Sequence, residues 1–217
     1  MIMKIKDPIS ALTHFIGMIL SIIAASLLVF KSIQNTTLLH VTSFTLFGAS
    51  LILLYLASTV YHSVNKPKLS AILHRIDHMM IFVLIAGSYT PICLIALQGF
   101  WGFTLITIIW TIALGGIILK ALWINAPRWL STGIYILMGW LVIIAFNPLL
   151  KALPTAAFYW LLAGGIIYTL GGLIYALKWP HFKFKHFGFH ELFHLFVMGG
   201  SFCHFMLMYL YILPMQI

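Results

Sequence analysis

The chain has 217 residues, of which 63% are apolar and only 7% are charged. Soluble globular domains average about 45 to 50% apolar residues, so this composition excludes an ordinary soluble domain and indicates a membrane protein. The formal net charge of +9 would suit a nucleic-acid partner. The basic residues instead follow the connections of a membrane topology, and we expect no nucleic-acid binding.

Seven apolar stretches are long enough to cross a hydrocarbon core of about 30 Å, which takes roughly 20 helical residues each. They lie near residues 9–30, 38–62, 72–97, 102–122, 130–146, 156–177 and 190–213. Only short connectors remain between them, and we expect the first stretch to stay as a span because no cleavage pattern follows it. The sequence therefore predicts an all-α membrane protein, with residues 1–217 forming a single seven-transmembrane helix bundle.

The twelve basic residues are distributed unevenly across this topology. Ten fall on the side of the N-terminus: Lys4, Lys6, Lys66, Lys68, Arg75, Lys120, Arg128, Lys178, Lys183 and Lys185. Only Lys31 and Lys151 fall on the other side. The positive-inside rule then predicts a cytoplasmic N-terminus and, after seven crossings, a C-terminus outside the cytoplasm. The same basic residues would anchor the bundle to anionic lipids.

The first two spans carry few ionisable residues. Asp7, just before span one, is most simply interpreted as a helix cap, and His14, inside that span, is either a structural histidine or a pocket residue. His40, at the outer end of span two, is expected to be solvated. Near the inner end of that span, Ser58 lies one turn deeper than His62, so the two side chains share a helix face.

The third span begins with ionisable residues, in the stretch LHRIDHMMIF. Asp77 lies within its apolar start, where an ionisable group is costly and marks a functional candidate. The alternative is a structural salt bridge to Arg75 or to a nearby histidine. His74 and His78 could fix a pocket or serve as structural histidines, and Ser88 lies near the face of Asp77.

Small residues in the later spans indicate helix packing. Cys93 and Cys203 both fall inside apolar helices, so we expect neither a disulfide nor thiolate ligands. Four glycine pairs would let helix backbones approach closely: Gly115–Gly116, Gly164–Gly165, Gly171–Gly172 and Gly199–Gly200.

The seventh span opens with His190, Glu191 and His194, which spell the H-E-x-x-H string of zinc proteases. An intramembrane protease of the site-two type would need a downstream aspartate, and no acidic residue follows His194. Glu191 also points about 100° away from His190 around the helix. We therefore interpret the string as H-x-x-x-H with an incidental glutamate. His181 and His186, in the preceding loop, are expected to be solvated.

The predicted topology brings His62, Asp77, His190 and His194 to one level near the cytoplasmic surface. Three neutral imidazoles with an open fourth position suit zinc. Ser201 and His204 continue the polar stripe of span seven into the bilayer. Together with Ser58 and Ser88, these groups predict a cavity that runs inward from a metal layer.

Three motifs carry a resemblance to a known family: S-x-x-x-H in STVYHS, the aspartate of HRIDHMMIFVLIAGSYTP, and H-x-x-x-H in HELFHLFVMGGSFCHF. Together they resemble the hemolysin III branch of the progestin and adipoQ receptor family, over nearly the whole chain. The resemblance implies that His62, His190 and His194 bind Zn²⁺, that Asp77 holds the zinc's water, and that Ser58 is the supporting serine of the first motif. It also implies a multi-pass protein of the bacterial plasma membrane.

The family is also similar to alkaline ceramidases, which implies zinc-dependent hydrolysis of a lipid amide that enters from the bilayer. Asp77 would be the proton acceptor. Two alternatives stay open. The chain could be a hemolysin III-type pore-former or a transporter, although the outer halves of its spans are almost wholly apolar. It could also be a receptor or a regulator of membrane homeostasis with a structural zinc. The sequence does not predict the oligomeric state.

Overall fold

The computed structural model describes residues 5–123, 126–181 and 187–216. Within these residues, seven helices are long and apolar enough to cross a membrane, which confirms the predicted fold class. They are α1 (Pro8–Asn35), α2 (Leu38–Ser63), α3 (Pro67–Leu97), α4 (Gly99–Leu122), α5 (Arg128–Ala152), α6 (Thr155–Leu177) and α7 (Phe189–Ile212). The predicted loop positions Lys183, Lys185 and His186, and Lys4 near the N-terminus, lie outside the described residues.

Proline and glycine account for several helix boundaries. Pro8 and Pro67 lie in the first turns of α1 and α3, where the missing N–H group costs nothing. Inside α3, Pro91 cannot donate the regular helical hydrogen bond, and the helix continues as a π-helical stretch from Ile92 to Leu97. Gly99 then adopts a φ of 50°, a conformation that favours glycine and allows α4 to start almost at once.

Three helices lie nearest the centre of the bundle. In their most apolar windows, α2, α3 and α7 are 50%, 61% and 44% buried, whereas α5 and α6 are each 17% buried. The helix α1 packs against both α2 and α7. This arrangement places the start of α1 next to the end of α2 and the start of α7, the two segments that carry the predicted metal-binding histidines.

One glycine of each predicted pair lies in a close helix contact. A Cβ atom on Gly116 would lie 2.2 Å from the Phe82 ring, and one on Gly200 would lie 2.7 Å from the Tyr168 ring. The corresponding atom on Gly115 would meet nothing within 4 Å. In the Gly115–Gly116 pair, a single glycine therefore accounts for the close approach. Both cysteines are free and buried, as the sequence predicted.

Candidate metal centre

Three imidazoles meet at one end of the bundle. His62 lies in the last turn of α2, and His190 and His194 lie one turn apart at the start of α7. One nitrogen from each ring lies within 4.8 Å of the other two, and His62 Nε2 is 3.2 Å from His190 Nε2. Zn–N bonds of about 2.0 to 2.1 Å in a tetrahedron separate two nitrogens by about 3.3 Å. The cluster therefore has the spacing to hold a metal ion.

Hydrogen bonds from α1 fix the orientation of two of these rings. His62 Nδ1 donates to Asp7 Oδ2 at 2.9 Å. The Thr13 hydroxyl donates to the carbonyl of Ser10 at 3.0 Å, so its oxygen can accept from His194 Nδ1, which lies 3.2 Å away. With Nδ1 as the donor, each ring presents the Nε2 lone pair to a metal. Both rings are thus oriented for ligation from the same helix.

The structure corrects the interpretation of Asp7 as a helix cap. Asp7 does occupy the N-cap position of α1, but its side chain makes no capping hydrogen bond. Its backbone N–H donates to the carbonyl of His62 at 2.9 Å, and Lys6 Nζ lies 3.5 Å from its carboxylate. Asp7 is therefore bonded to the end of α2, where its carboxylate accepts a hydrogen bond from the imidazole of His62.

Asp77 and Ser58 are both buried, and both line a cavity shared with His190 and His194. Among the described residues, the ion pair recorded for Asp77 is a long one to a histidine, which is the alternative that the sequence offered. The nearest cationic candidate is His78, whose Nδ1 is 3.8 Å from Asp77 Oδ2 and 2.9 Å from its hydrogen-bond acceptor, the His74 carbonyl. Ser58 Oγ has no hydrogen-bond partner among the described residues. Ser58 and Asp77 are neighbours, and both side chains line the cavity.

Glu191 has a structural role that the sequence did not indicate. Its Oε2 accepts a hydrogen bond from the Gly188 backbone N–H at 2.8 Å, at the N-cap position of α7. Its Oε1 accepts a short hydrogen bond of 2.5 Å from Ser10 Oγ. Glu191 therefore ties the first turn of α7 to α1, which agrees with the interpretation of the string as H-x-x-x-H.

The cavity has a volume of about 470 Å³, within the range of small-molecule sites. Asp77, His190 and His194 line one end of it, and Ser88, Thr169 and His204 line it further along. Most of the remaining wall is apolar and reaches Phe146 and Phe158 near the opposite membrane surface. Along α3 the lining runs from Asp77 to Ile92, about 22 Å at the helical rise. A long, narrow amphiphile would fit this shape.

The remaining histidines divide into three groups. His14 and His204 are buried and line the cavity. The expectation that His40 is solvated is wrong, because the ring is 1% exposed. It contacts Thr37 Oγ1 at 3.0 Å and the Met215 carbonyl at 3.0 Å, and two such partners make burial tolerable. His181 is exposed, as expected.

Sequence reasoning missed Asp7, Ser10 and Thr13 as partners of the site. Asp7 lies 55 residues from His62, and Thr13 lies 181 residues from His194, so no local spacing connects them. One signal was available for Asp7. It is one of only three acidic residues in the chain, and the predicted topology puts it at the level of the histidines.

The chain is similar to known proteins over most of its length. A family model described as haemolysin-III related matches residues 3–205. The chain is 44% identical over 211 residues to Hemolysin-3 of Bacillus cereus, covering 97% of this chain and 94% of that protein. It is 45% identical over 198 residues to the Hemolysin-3 homolog of Bacillus subtilis (strain 168), covering 91% and 90%. It is 28% identical over 179 residues to the human Monocyte to macrophage differentiation factor, covering 77% and 69%.

Proposed function

This chain belongs to the haemolysin-III related family, and on that basis we propose that it is a zinc-dependent membrane hydrolase that cleaves the amide bond of an acyl lipid. One observation carries the proposal. Three histidines able to hold a metal ion form a cluster, and two of them, His190 and His194, line a long cavity whose walls are mostly apolar. A lipid would place its chain along the apolar walls and its head group beside the histidines.

The donor set favours zinc over other common ions. Magnesium and calcium prefer oxygen ligands, whereas neutral imidazole suits zinc and other late transition metals. Catalytic zinc is commonly held by three protein ligands with the fourth position open. His62, His190 and His194 offer three nitrogens, and Asp7 and Thr13 support two of the rings as hydrogen-bond acceptors do in established zinc sites.

The residues around the cluster can perform the steps of amide hydrolysis. When bound, zinc supplies a Lewis acid that makes water a nucleophile near neutral pH. Asp77 takes the proton from that water and passes it to the leaving amine. Ser58, whose hydroxyl is unpaired, donates a hydrogen bond at the reacting group. The apolar walls hold the acyl chain and limit the access of bulk water to the head group.

The decisive measurement is zinc content together with lipid turnover. Purified protein would be incubated with N-acyl sphingosine and, separately, with total bacterial lipid, and the products followed by mass spectrometry. Replacing His62, His190 or His194 with Ala should sharply lower zinc per chain, because two imidazoles hold zinc poorly. Asp77→Asn should keep most of the zinc and lose about a hundredfold or more in turnover.

Two results would contradict this proposal. Full zinc content in the His190→Ala and His194→Ala proteins would show that these histidines do not hold the zinc. Zinc-loaded wild-type protein that leaves every lipid unchanged near neutral pH would point instead to a regulator in which the metal is structural. Glu191→Gln is the control for a protease mechanism, since that mechanism would require Glu191 as its base.

A second candidate function is membrane lysis, which similarity to proteins named Hemolysin-3 supports. Release of a trapped dye from protein-free liposomes on addition of purified protein would test this function. Lysis by a pore should persist in the Asp77→Asn protein, whereas lysis that follows from lipid turnover should be lost with it. Dye release that is equal for both proteins, without any lipid product, would favour the pore.

A further inference from the structure

His14 is a buried histidine whose ring nitrogens have no partner. It lies on α1, its side chain is 4% exposed, and it lines the cavity. Neither Nδ1 nor Nε2 has a hydrogen-bond partner among the described residues. His40, the comparable buried histidine near the opposite membrane surface, has a partner for each nitrogen. An unpaired buried polar group is costly and rare, so His14 requires an explanation.

The position of the ring excludes the simplest explanation, that His14 is a fourth metal ligand. The rings of His14 and His194 are stacked, with centroids 3.5 Å apart and planes inclined by only 13°. A zinc ion binds in the plane of an imidazole at about 2.0 to 2.1 Å from the nitrogen. Two rings stacked in this way do not direct their nitrogen lone pairs toward one point, so His14 would not share a metal ion with His194. His14 is beside the metal site without belonging to the ligand set.

We propose that His14 binds the head group of the lipid in the cavity and selects an amide. A neutral imidazole offers one N–H donor and one acceptor nitrogen. An amide likewise offers a carbonyl acceptor and an N–H donor, whereas an ester offers acceptors alone and a hydrocarbon offers neither. Because His14 lines the cavity and stacks on His194, an amide within its reach also lies beside the metal cluster. The inference rests on the proposed function for the presence of an acyl lipid.

The proposal predicts an unusual pair of effects for His14→Phe. Phenylalanine keeps a flat ring that can stack on His194 and meet the edge of Tyr55, as His14 does now. It removes two unpaired nitrogens, so the thermal stability of the lipid-free protein should be unchanged or higher. Zinc per chain should also be unchanged. Binding of an amide, in contrast, should weaken, because its hydrogen bonds to the imidazole are lost.

The selection of an amide by His14 can be tested by equilibrium binding of radiolabelled probes to purified full-length protein. The three probes are hexadecanamide, methyl hexadecanoate and 1-hexadecene. Wild-type protein should prefer them in that order. His14→Phe should weaken hexadecanamide binding about tenfold, the size expected for one hydrogen bond in a dry site, and leave 1-hexadecene binding unchanged. His14→Gln retains a donor and an acceptor and should restore part of the preference. His40→Phe should lower thermal stability and keep the preference.

Three outcomes would overturn the inference. They are equal hexadecanamide affinity in the His14→Phe and wild-type proteins, a large loss of stability in the lipid-free variant, and no preference of wild-type protein for the amide over 1-hexadecene. The proposed function fails separately. An amide that binds through His14 and is never cleaved would support this inference and refute the hydrolase. Cleavage of an amide that is unaffected by His14→Phe would support the hydrolase and refute this inference.

Discussion

The ring orientation of His62 and His194 depends on hydrogen bonds to side chains outside the three-histidine cluster. A histidine can bind through either ring nitrogen, and the hydrogen bond at one nitrogen decides which lone pair remains. Asp7 engages Nδ1 of His62, and Thr13 engages Nδ1 of His194. Thr13 lies in α1 and Asp7 at its N-cap, so the start of this helix orients the rings although it contributes no histidine to the cluster.

Asp7→Asn should therefore weaken metal binding without removing a ligand. The amide oxygen can still accept the hydrogen bond from His62 Nδ1, but the negative charge that makes the imidazole a stronger ligand is lost. Supporting groups of this kind are typically worth 10- to 100-fold in metal affinity. Competition between the protein and a chromogenic zinc chelator would measure the change.

Glu191→Gln is the matched control for Asp7→Asn. Glu191 is a second carboxylate near the same end of the bundle, but it bonds Ser10 and the Gly188 backbone rather than an imidazole. Its replacement should leave zinc affinity within about twofold of the wild-type value. It should lower the free energy of unfolding by about 1 kcal/mol, the usual contribution of a helix cap. Equal losses of zinc affinity in the two variants would argue against a specific role for Asp7.

Both α1 and α7 could be predicted from the sequence as membrane spans. The contribution of α7 to the site could also be predicted, whereas that of α1 could not. The four-residue spacing of His190 and His194 places both on one helix face whatever surrounds them. The role of α1 depends instead on which helices it packs against, and hydropathy alone does not specify neighbours. The sequence left His14 as either a structural histidine or a pocket residue, and Thr13 gave no signal until the packing of α1 on α7 was known.

The contact between α1 and α2 has little tolerance at Gly48. A Cβ atom there would lie 2.4 Å from the Cβ of Ala25 and 3.2 Å from its Cα, and a backbone atom cannot rotate away. Gly48→Ala should therefore push α1 outward and lower the free energy of unfolding by about 1 to 3 kcal/mol. Because α1 carries Asp7 and Thr13, zinc affinity should fall as well. Thermal unfolding in detergent and chelator competition would measure the two effects.

Gly115→Ala provides the comparison for Gly48→Ala. The same atom added at Gly115 meets nothing within 4 Å, and alanine is favoured over glycine in a helix by up to about 1 kcal/mol. Stability should stay the same or rise, and zinc affinity should not change. A similar loss in both proteins would mean that backbone flexibility, rather than close packing, explains the effect at Gly48.

For the molecule as a whole, the lengths of the apolar stretches were sufficient to predict seven spans, because an apolar layer of about 30 Å requires helices of about 20 residues. The interior was less predictable. The sequence suggested a polar seam and a cavity, but the volume of that cavity depends on how α5 and α6 diverge from the central helices. Its extension to Phe146 and Phe158 is a property of packing that no single helix reveals.

The orientation of the bundle in the membrane follows from charge and remains a prediction. Ten of the twelve basic residues fall on the side that carries Asp7, His62 and His190, so this end should face the cytoplasm. Alkaline phosphatase fused after Ile217 should be active, and the same enzyme fused to a chain truncated after Lys178 should be inactive. Green fluorescent protein at these positions should give the opposite pattern. Replacing Lys31 and Lys151 with Gln removes the two opposing charges and should leave the pattern unchanged. If the activities were reversed, the three-histidine cluster would lie on the outer side of the membrane, and water would reach it from that side.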